Sequence, residues 1–179
     1  MLRLLVRVGS REAAQNLLPL WPHFAALRVA QEFNLKIVLE GCAEAPLVLD
    51  EIKASGFPVV LHPTMERSFG PRENLSMETA AVLRRAGVPF AIQSGFEDYV
   101  PKTRIVLYEA AVAAGHGLDR DAALAAITLE AARIVGVADR VGSLEVGKDG
   151  DVALYDGDPF EYVTRCVGVV IDGVVYPGE

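Results

Sequence analysis

The sequence predicts an α/β protein built on a parallel β-sheet. Short runs of β-branched and other apolar residues alternate with helical stretches of about ten residues, which is typical of βαβ units. The hydrophobic content of 51% is high and fits strands that are covered on both faces. With 179 residues, the chain is long enough to bury a sizeable core.

Four strand–helix units are predicted in succession. We expect Pro19 and Pro22 to split the first helical stretch in two, because proline disrupts a helix interior. We expect Gly87 to follow the end of the third helical stretch, since glycine is common just past a helix C-terminus. The predicted strands are residues 2–8, 36–39, 58–61 and 89–92, and the predicted helices are residues 10–33, 44–55, 77–86 and 103–114.

The last sixty residues or so differ in composition from the rest. Thr128 is predicted to cap the second of two short helices, its hydroxyl accepting a backbone N–H bond. Asp172-Gly173 predicts a two-residue hairpin turn. The predicted helices here are residues 121–126 and 129–135, and the predicted strands are residues 151–155, 167–171 and 174–176. The expected domain division is therefore 1–120 and 121–179.

Composition and short motifs exclude several classes of protein. A formal net charge of −7 without a basic run argues against a nucleic-acid partner. No phosphate-binding glycine motif follows a strand, so a nucleotide-binding sheet loses support, although an open sheet and part of a barrel both stay possible. Cys42 and Cys166 lie far apart, and no stretch has the roughly 20 apolar residues that a membrane helix needs. We expect a cytoplasmic protein without a membrane anchor.

The C-terminal part carries a family resemblance. Residues 122–136 (AALAAITLEAARIVG) and 139–158 (DRVGSLEVGKDGDVALYDGD) resemble the C-terminal signature of the amidohydrolase superfamily, most closely its imidazolonepropionase-like branch. Gly150 departs from this pattern, in which alanine is usual. The residues that carry the resemblance are Ala123, Leu124, Thr128, Ala132, Gly142, Gly147 and Asp151.

The resemblance implies a more specific fold and function. The four strands would be strands five to eight of a (β/α)8 TIM-type barrel, the C-terminal half, with residues 1–120 as a partial barrel. The remainder would be two short helices and a small β-sandwich segment. The implied activity is hydrolysis of carbon–nitrogen, non-peptide bonds such as those of cyclic amides, in a truncated or split enzyme that depends on a divalent metal, zinc or iron.

The usual metal ligands of the family do not match the residues at the predicted strand ends. The family's His-x-His would lie upstream of Met1. Glu40 and Gly41 stand where the resemblance implies a histidine, and Gln93 follows the strand that usually ends in aspartate. No residue is therefore a firm ligand, and Glu40 and His62 are the weak candidates.

Other candidate site residues follow the third and fourth strands. His62 is the imidazole placed at a strand end, so it is a candidate catalytic residue, with a locally hydrogen-bonded ring as the alternative. Arg67, Asp98 and Lys102 are candidate substrate-binding residues, although a solvated loop explains them nearly as well. A triad with Ser94 is disfavoured, because Ser94 lacks the G-x-S-x-G turn.

A half-barrel exposes two sheet edges and an apolar face, which proteins normally cover. We therefore expect a homo-oligomer or a partner that supplies the missing half-barrel, together with a small-molecule substrate. The alternative function is a non-catalytic binding or scaffold protein with a degenerate amidohydrolase fold. The presence of Gly41 and Gly95 at strand ends motivates this hypothesis. An open α/β sheet unrelated to barrels would be supported if the second and third strands were not neighbours.

Overall fold

A four-stranded parallel sheet forms the centre of the molecule. A computed structural model describes residues 4–7, 22–66, 74–97, 100–101 and 105–178. The sheet order β1-β2-β3-β4 follows the order along the chain, and every neighbouring pair is parallel. The strands are β1 (Leu4–Arg7), β2 (Ile37–Gly41), β3 (Val59–Leu61) and β4 (Phe90–Ile92). The predicted α/β class is confirmed, and the pairing of β2 with β3 argues against the unrelated open sheet.

Six α-helices lie within the described ranges. They are α1 (Pro22–Glu32), α2 (Leu49–Ser55), α3 (Thr79–Ala86), α4 (Val106–Gly115), α5 (Arg120–Ile127) and α6 (Leu129–Val135). None of these helices is long and apolar enough to cross a membrane. Gly87 follows α3 with φ +74°, and its N–H donates to the Arg84 carbonyl at 3.1 Å, which confirms the predicted helix end.

Proline lies at or near the start of two helical stretches. The single helix predicted over residues 44–55 is wrong in its first half, where Pro46 lies in a 3-10 turn (Ala45–Leu47) and the α-helix begins only at Leu49. Pro22 stands at the start of α1, where a missing N–H costs nothing. Residues 10–21 lie outside the described ranges, so the split of the first helical stretch stays a prediction.

Thr128 does not cap α6 as the sequence predicted. Its hydroxyl donates to the Leu124 carbonyl at 2.7 Å, and no side-chain cap bond to α6 forms. The reason is that α6 follows α5 without a linker, so the carbonyl four residues earlier is the nearest partner. Asp119 supplies the cap of α5 instead, its carboxylate accepting from the Ala122 N–H at 2.8 Å.

The two faces of the parallel sheet bury different side chains, because successive strand residues point to opposite sides. The first face packs against helices and forms the main core, with Ile37, Leu39, Val59, Leu61, Phe90 and Ile92. The second face carries Val38, Val60 and Ala91, which pack against Ala131 and Ile134 of α6. Helix α6 therefore covers apolar residues of this second face.

The C-terminal segment forms a separate antiparallel sheet. Its strands are β7 (Val152–Tyr155), β8 (Cys166–Ile171) and β9 (Val174–Pro177), while β5 (Phe96–Glu97) and β6 (Val100–Pro101) form a small pair that the sequence did not predict. Asp172 and Gly173 both have positive φ, which confirms the predicted hairpin turn. Phe160 packs against the main core and lies under the Arg120 guanidinium, linking this segment to α5. The division at residue 120 stays a prediction.

Gly142 and Gly147 provide a matched pair of substitutions. Both have φ +94°, but a Cβ on Gly142 would lie 2.8 Å from the Ala132 Cβ and 3.0 Å from the Leu129 Cα, whereas a Cβ on Gly147 would meet nothing within 4 Å. We expect Gly142→Ala to lower the free energy of unfolding by about 1–3 kcal/mol more than Gly147→Ala, since only the first adds a steric clash to the shared backbone strain. Urea unfolding followed by circular dichroism measures the difference. Equal losses would contradict the packing shown here.

Candidate functional site

Polar residues collect at the carboxyl end of the parallel sheet. Glu40 lies near the end of β2, His62 directly follows β3, and Gln93 directly follows β4. Each lies two residues beyond an apolar residue of the second face, so strand alternation places all three on that face. Parallel strands end at the same edge of a sheet, and in α/β folds this edge is where ligands bind.

Glu40 and Gln93 are joined by a side-chain hydrogen bond. The Gln93 Nε2 donates to the Glu40 Oε1 at 3.4 Å, although the two residues are 53 positions apart. Glu40 is half-buried and stands beside Val60 in the register of β2 and β3, with Arg7 as its register partner on β1. The pair combines a carboxylate, which accepts protons and hydrogen bonds, with an amide, which keeps a second N–H available as a donor.

His62 is held at this edge by hydrogen bonds of its backbone and its ring. Its backbone N–H extends the parallel ladder by donating to the Gly41 carbonyl at 2.7 Å, and its ring Nδ1 lies 2.9 Å from the Pro63 carbonyl. The side chain is 2% exposed. The local hydrogen bond considered as an alternative for His62 is therefore present, and the residue also occupies the strand-end position that made it a catalytic candidate.

Strand β2 ends in an unusual backbone conformation. Gly41 and Cys42 have φ of +90° and +51°, so two successive residues adopt left-handed geometry next to Glu40. Cys42 is fully buried, and this burial, with a smaller contribution from the Glu40 charge, raises the pKa of the thiol to about 12. The thiol therefore stays protonated at neutral pH, which argues against Cys42 as a nucleophile.

None of the three predicted substrate-binding residues belongs to the described part of the chain. Arg67, Asp98 and Lys102 lie outside the described residues, so their roles stay predictions. Ser94 is half-buried after β4, and its triad also stays unplaced, because the proposed third member is Asp98.

Two buried carboxylates near this edge were not predicted. Glu109 on α4 accepts a hydrogen bond from the Met65 N–H at 2.8 Å, and Glu44 after β2 accepts one from the Asn74 Nδ2 at 2.7 Å. Each is 1% exposed. The sequence could have indicated Glu109, because it is the acidic residue in the apolar helix VLYEAAVAAG. Charged side chains are rarely buried unless they are paired.

The side chains seen here do not form a metal site by themselves. Within the described ranges, no group of three or more His, Cys, Asp or Glu residues is arranged to hold a metal ion. Glu40 and His62, the two weak ligand candidates, lie at neighbouring strand ends, and no third acidic, histidine or cysteine ligand among the described residues completes a set with them. A divalent metal at this edge would therefore need ligands other than those described.

Comparisons with known proteins agree with the resemblance at the C-terminal end. The model of the amidohydrolase family matches residues 54–177. An imidazolonepropionase from Stenotrophomonas maltophilia is 35% identical over 114 residues, which are 63% of this chain and 27% of that protein. An imidazolonepropionase from Mesorhizobium japonicum is 38% identical over 86 residues, 47% of this chain and 21% of that protein. The chain thus spans about a quarter or less of these relatives.

Solved structures match almost the whole chain. An amidohydrolase from Thermotoga maritima superimposes with a TM-score of 0.86 at 27% identity, covering 99% of this chain and 44% of that one. Molinate hydrolase gives a TM-score of 0.66 at 18% identity, covering 97% of this chain and 42% of that one. An adenosine deaminase from Xanthomonas campestris with bound zinc gives 0.57 at 22% identity, covering 83% of this chain and 46% of that one. The latter two show the fold alone.

The family match covers more than half of the chain, and it includes the two segments on which the resemblance was recognised. The Thermotoga maritima structure matches almost the whole chain with a TM-score of 0.86. The chain belongs to the amidohydrolase family, as an imidazolonepropionase-like member.

Proposed function

We propose that the chain is the C-terminal half of a hydrolase that cleaves carbon–nitrogen, non-peptide bonds. The observation that carries this proposal is the Glu40–Gln93 pair at the carboxyl edge of a parallel sheet, in a chain that matches the amidohydrolase model. In this proposal β1 to β4 are strands five to eight of a (β/α)8 barrel, and β7 to β9 belong to a composite β-sandwich. The match to the Thermotoga maritima structure, which covers 44% of that chain, supports the assignment.

The pair has the groups that amide hydrolysis requires. In the proposed step, the Glu40 carboxylate accepts a proton from the attacking water, and the water oxygen bonds to the amide carbonyl carbon. The second N–H of Gln93 donates to the carbonyl oxygen as negative charge develops there. The carbon–nitrogen bond then breaks, and the proton passes to the leaving nitrogen. The imidazolonepropionase relatives suggest a cyclic amide as the substrate class.

The proposed hydrolase is completed by another polypeptide segment. β1 and β4 are the edge strands of the parallel sheet within the described ranges. A cavity of about 560 Å³ opens at the end of this sheet that lies opposite the candidate site, and its lining includes Val38, Pro58 and Ile134. The antiparallel sheet is apolar on both faces, with Leu154 and Val175 exposed on one and Ile171, Val174 and Tyr176 exposed on the other. Exposed apolar surface of this extent is typical of interfaces. We propose that the occupant is the first half of an amidohydrolase fold.

The same segment would supply the missing metal ligands. We propose a divalent metal, zinc or iron, as the cofactor of the completed enzyme, where it would activate water and polarise the substrate carbonyl. The chain's own contribution is Glu40 as the proton acceptor and Gln93 as the donor to the carbonyl oxygen, with His62 beside them at the carboxyl edge. Both cysteines are free, which supports the proposal of a cytoplasmic, reducing compartment.

A non-catalytic binding or scaffold protein is the second candidate. The lack of a ligand cluster among the described residues favours it, as does glycine at position 41, where the resemblance implies a histidine. Elemental analysis of the assembled protein separates the two functions. About one zinc, iron or manganese per chain supports the hydrolase, and metal-free protein supports the scaffold.

Glu40 provides the direct test of the catalytic role. In the assembled hydrolase we expect Glu40→Gln to lower kcat/KM for a cyclic amide by about 100-fold or more, because an amide cannot accept the proton from water. The control is Glu51→Gln, on the exposed side of α2, which should change kcat/KM less than about twofold. Unchanged hydrolysis by the Glu40 variant, measured by steady-state kinetics, would exclude the proposed role.

The exposed apolar faces predict association. We expect the chain alone to form dimers or larger assemblies at low micromolar concentration, and the double variant Ile171→Lys/Tyr176→Lys to shift the mass by light scattering toward the 19.2 kDa monomer. Charges at these positions make burial of the sheet face costly. Val146→Lys, at a fully exposed position before β7, serves as the control and should leave the mass unchanged. A clean monomer of the unsubstituted chain would reject the association.

A further inference from the structure

The loop that connects β3 to α3 starts at the candidate site. Its described residues are 62–66 on the β3 side and 74–78 on the α3 side. His62 opens the loop, and the carbonyl of Pro63 accepts from the Glu66 N–H at 3.3 Å, so residues 63–66 form a turn. The Pro63 carbonyl in this turn also lies 2.9 Å from the His62 Nδ1, so the turn helps to orient the His62 ring beside Glu40 and Gln93.

Pro63 is fixed from the side of β4. It lies directly against Gly95, where a Cβ would be 2.5 Å from the Pro63 Cγ, and Gly95 has φ +76°. No side chain fits at Gly95 without displacing the proline ring, and the backbone conformation is itself one that favours glycine. The loops after β3 and β4 are therefore packed together at the carboxyl edge of the sheet.

Glu109, on α4, also fixes this turn. Its Oε2 accepts the Met65 N–H at 2.8 Å across 44 residues of sequence, from a side chain that is almost fully buried in the apolar helix α4. Burying a carboxylate is costly, and hydrogen bonds to charged acceptors are among the stronger ones in proteins. A neutral apolar residue would pack in α4 at lower cost but would leave the Met65 amide without this acceptor.

Glu44 holds the other described end of the loop. Its Oε1 accepts from the Asn74 Nδ2 at 2.7 Å across 30 residues, again from a buried carboxylate. Glu44 lies in the loop after β2, and Glu109 lies in the helix after β4. Two carboxylates from different elements thus hold the two described ends of one loop.

We propose that Glu109 and Glu44 are positioning residues that fix the two described ends of the loop from β3 to α3, and that Glu109 thereby helps to orient His62 at the carboxyl edge of the sheet. What the loop then helps to bind rests on the proposed hydrolase function. The positioning itself depends only on this chain, because both acceptors and both donors belong to it. Glu109 acts through Met65 and the turn that follows His62, without touching the substrate.

Hydrogen–deuterium exchange of the full chain, read by mass spectrometry on peptides covering residues 62–66, tests the proposal. We expect Glu109→Leu to accelerate exchange of the Met65 amide about tenfold or more, because the acceptor is lost. Glu109→Gln retains a side-chain carbonyl acceptor, so we expect exchange within about threefold of the unsubstituted chain. In the assembled hydrolase, kcat/KM should follow the same order, with the Leu variant impaired and the Gln variant close to normal.

Internal and matched controls keep the result specific. Glu51→Leu, at an exposed position of α2, should leave exchange at residues 62–66 unchanged, and exchange of β8 reports any global unfolding. Should Glu109→Leu fail to fold, Asn74→Ala tests the Glu44 anchor through exchange of residues 74–78. Equal exchange in the Leu, Gln and unsubstituted proteins overturns the positioning role. If Glu109→Leu loses protection at Met65 but no form of the protein hydrolyses the cyclic amide, the positioning role stands. Only the proposed hydrolase function is then overturned.

Discussion

The parallel ladder through β2, β3 and β4 is the constraint on which the rest of the described structure depends. Backbone bonds of 3.0 Å from the Leu39 N–H to the Pro58 carbonyl and 2.9 Å from the Val59 N–H to the Pro89 carbonyl align the strands. Once this register is set, side-chain alternation decides which residues enter the main core and which reach the second face. A shift of one residue would bury the Glu40 carboxylate among the helices and expose Leu39, at a cost that excludes it.

Features determined by local chemistry were predictable from the sequence, and features determined by distant contacts were not. The four parallel strands, the helix end at Gly87 and the hairpin turn at Asp172-Gly173 follow from short patterns that the structure confirms. The candidate site was predictable only as a strand-end location, since neither the Glu40–Gln93 bond nor the Glu109–Met65 bond leaves a local pattern. The sequence also did not predict the partner of Thr128, because this residue lies between two helices and its hydroxyl bonds to the first of them.

Incomplete covering recurs in both sheets and has one physical origin. A sheet requires a second layer on each apolar face, because that face must be buried against another element. In the parallel sheet, α6 provides a partial cover of the second face through Ile134. The antiparallel sheet leaves Leu154 and Tyr176, on opposite faces, substantially exposed. The structural match covers 99% of this chain but 44% of the Thermotoga maritima protein, which supports the proposal that another segment provides the cover.

The second face of the parallel sheet links assembly to chemistry. It carries both the apolar residues that need a cover, such as Val60, and the polar residues Glu40 and Gln93 at its carboxyl edge. In the proposed hydrolase, a segment that covers this face would approach the pair and exclude water from it, which would strengthen the hydrogen bonds from the pair to a substrate. The loop anchors Glu44 and Glu109 lie on the helix side of the same edge, where this chain is already packed. In the proposed hydrolase, this chain supplies Glu40 and Gln93, and the covering segment supplies the rest of the site.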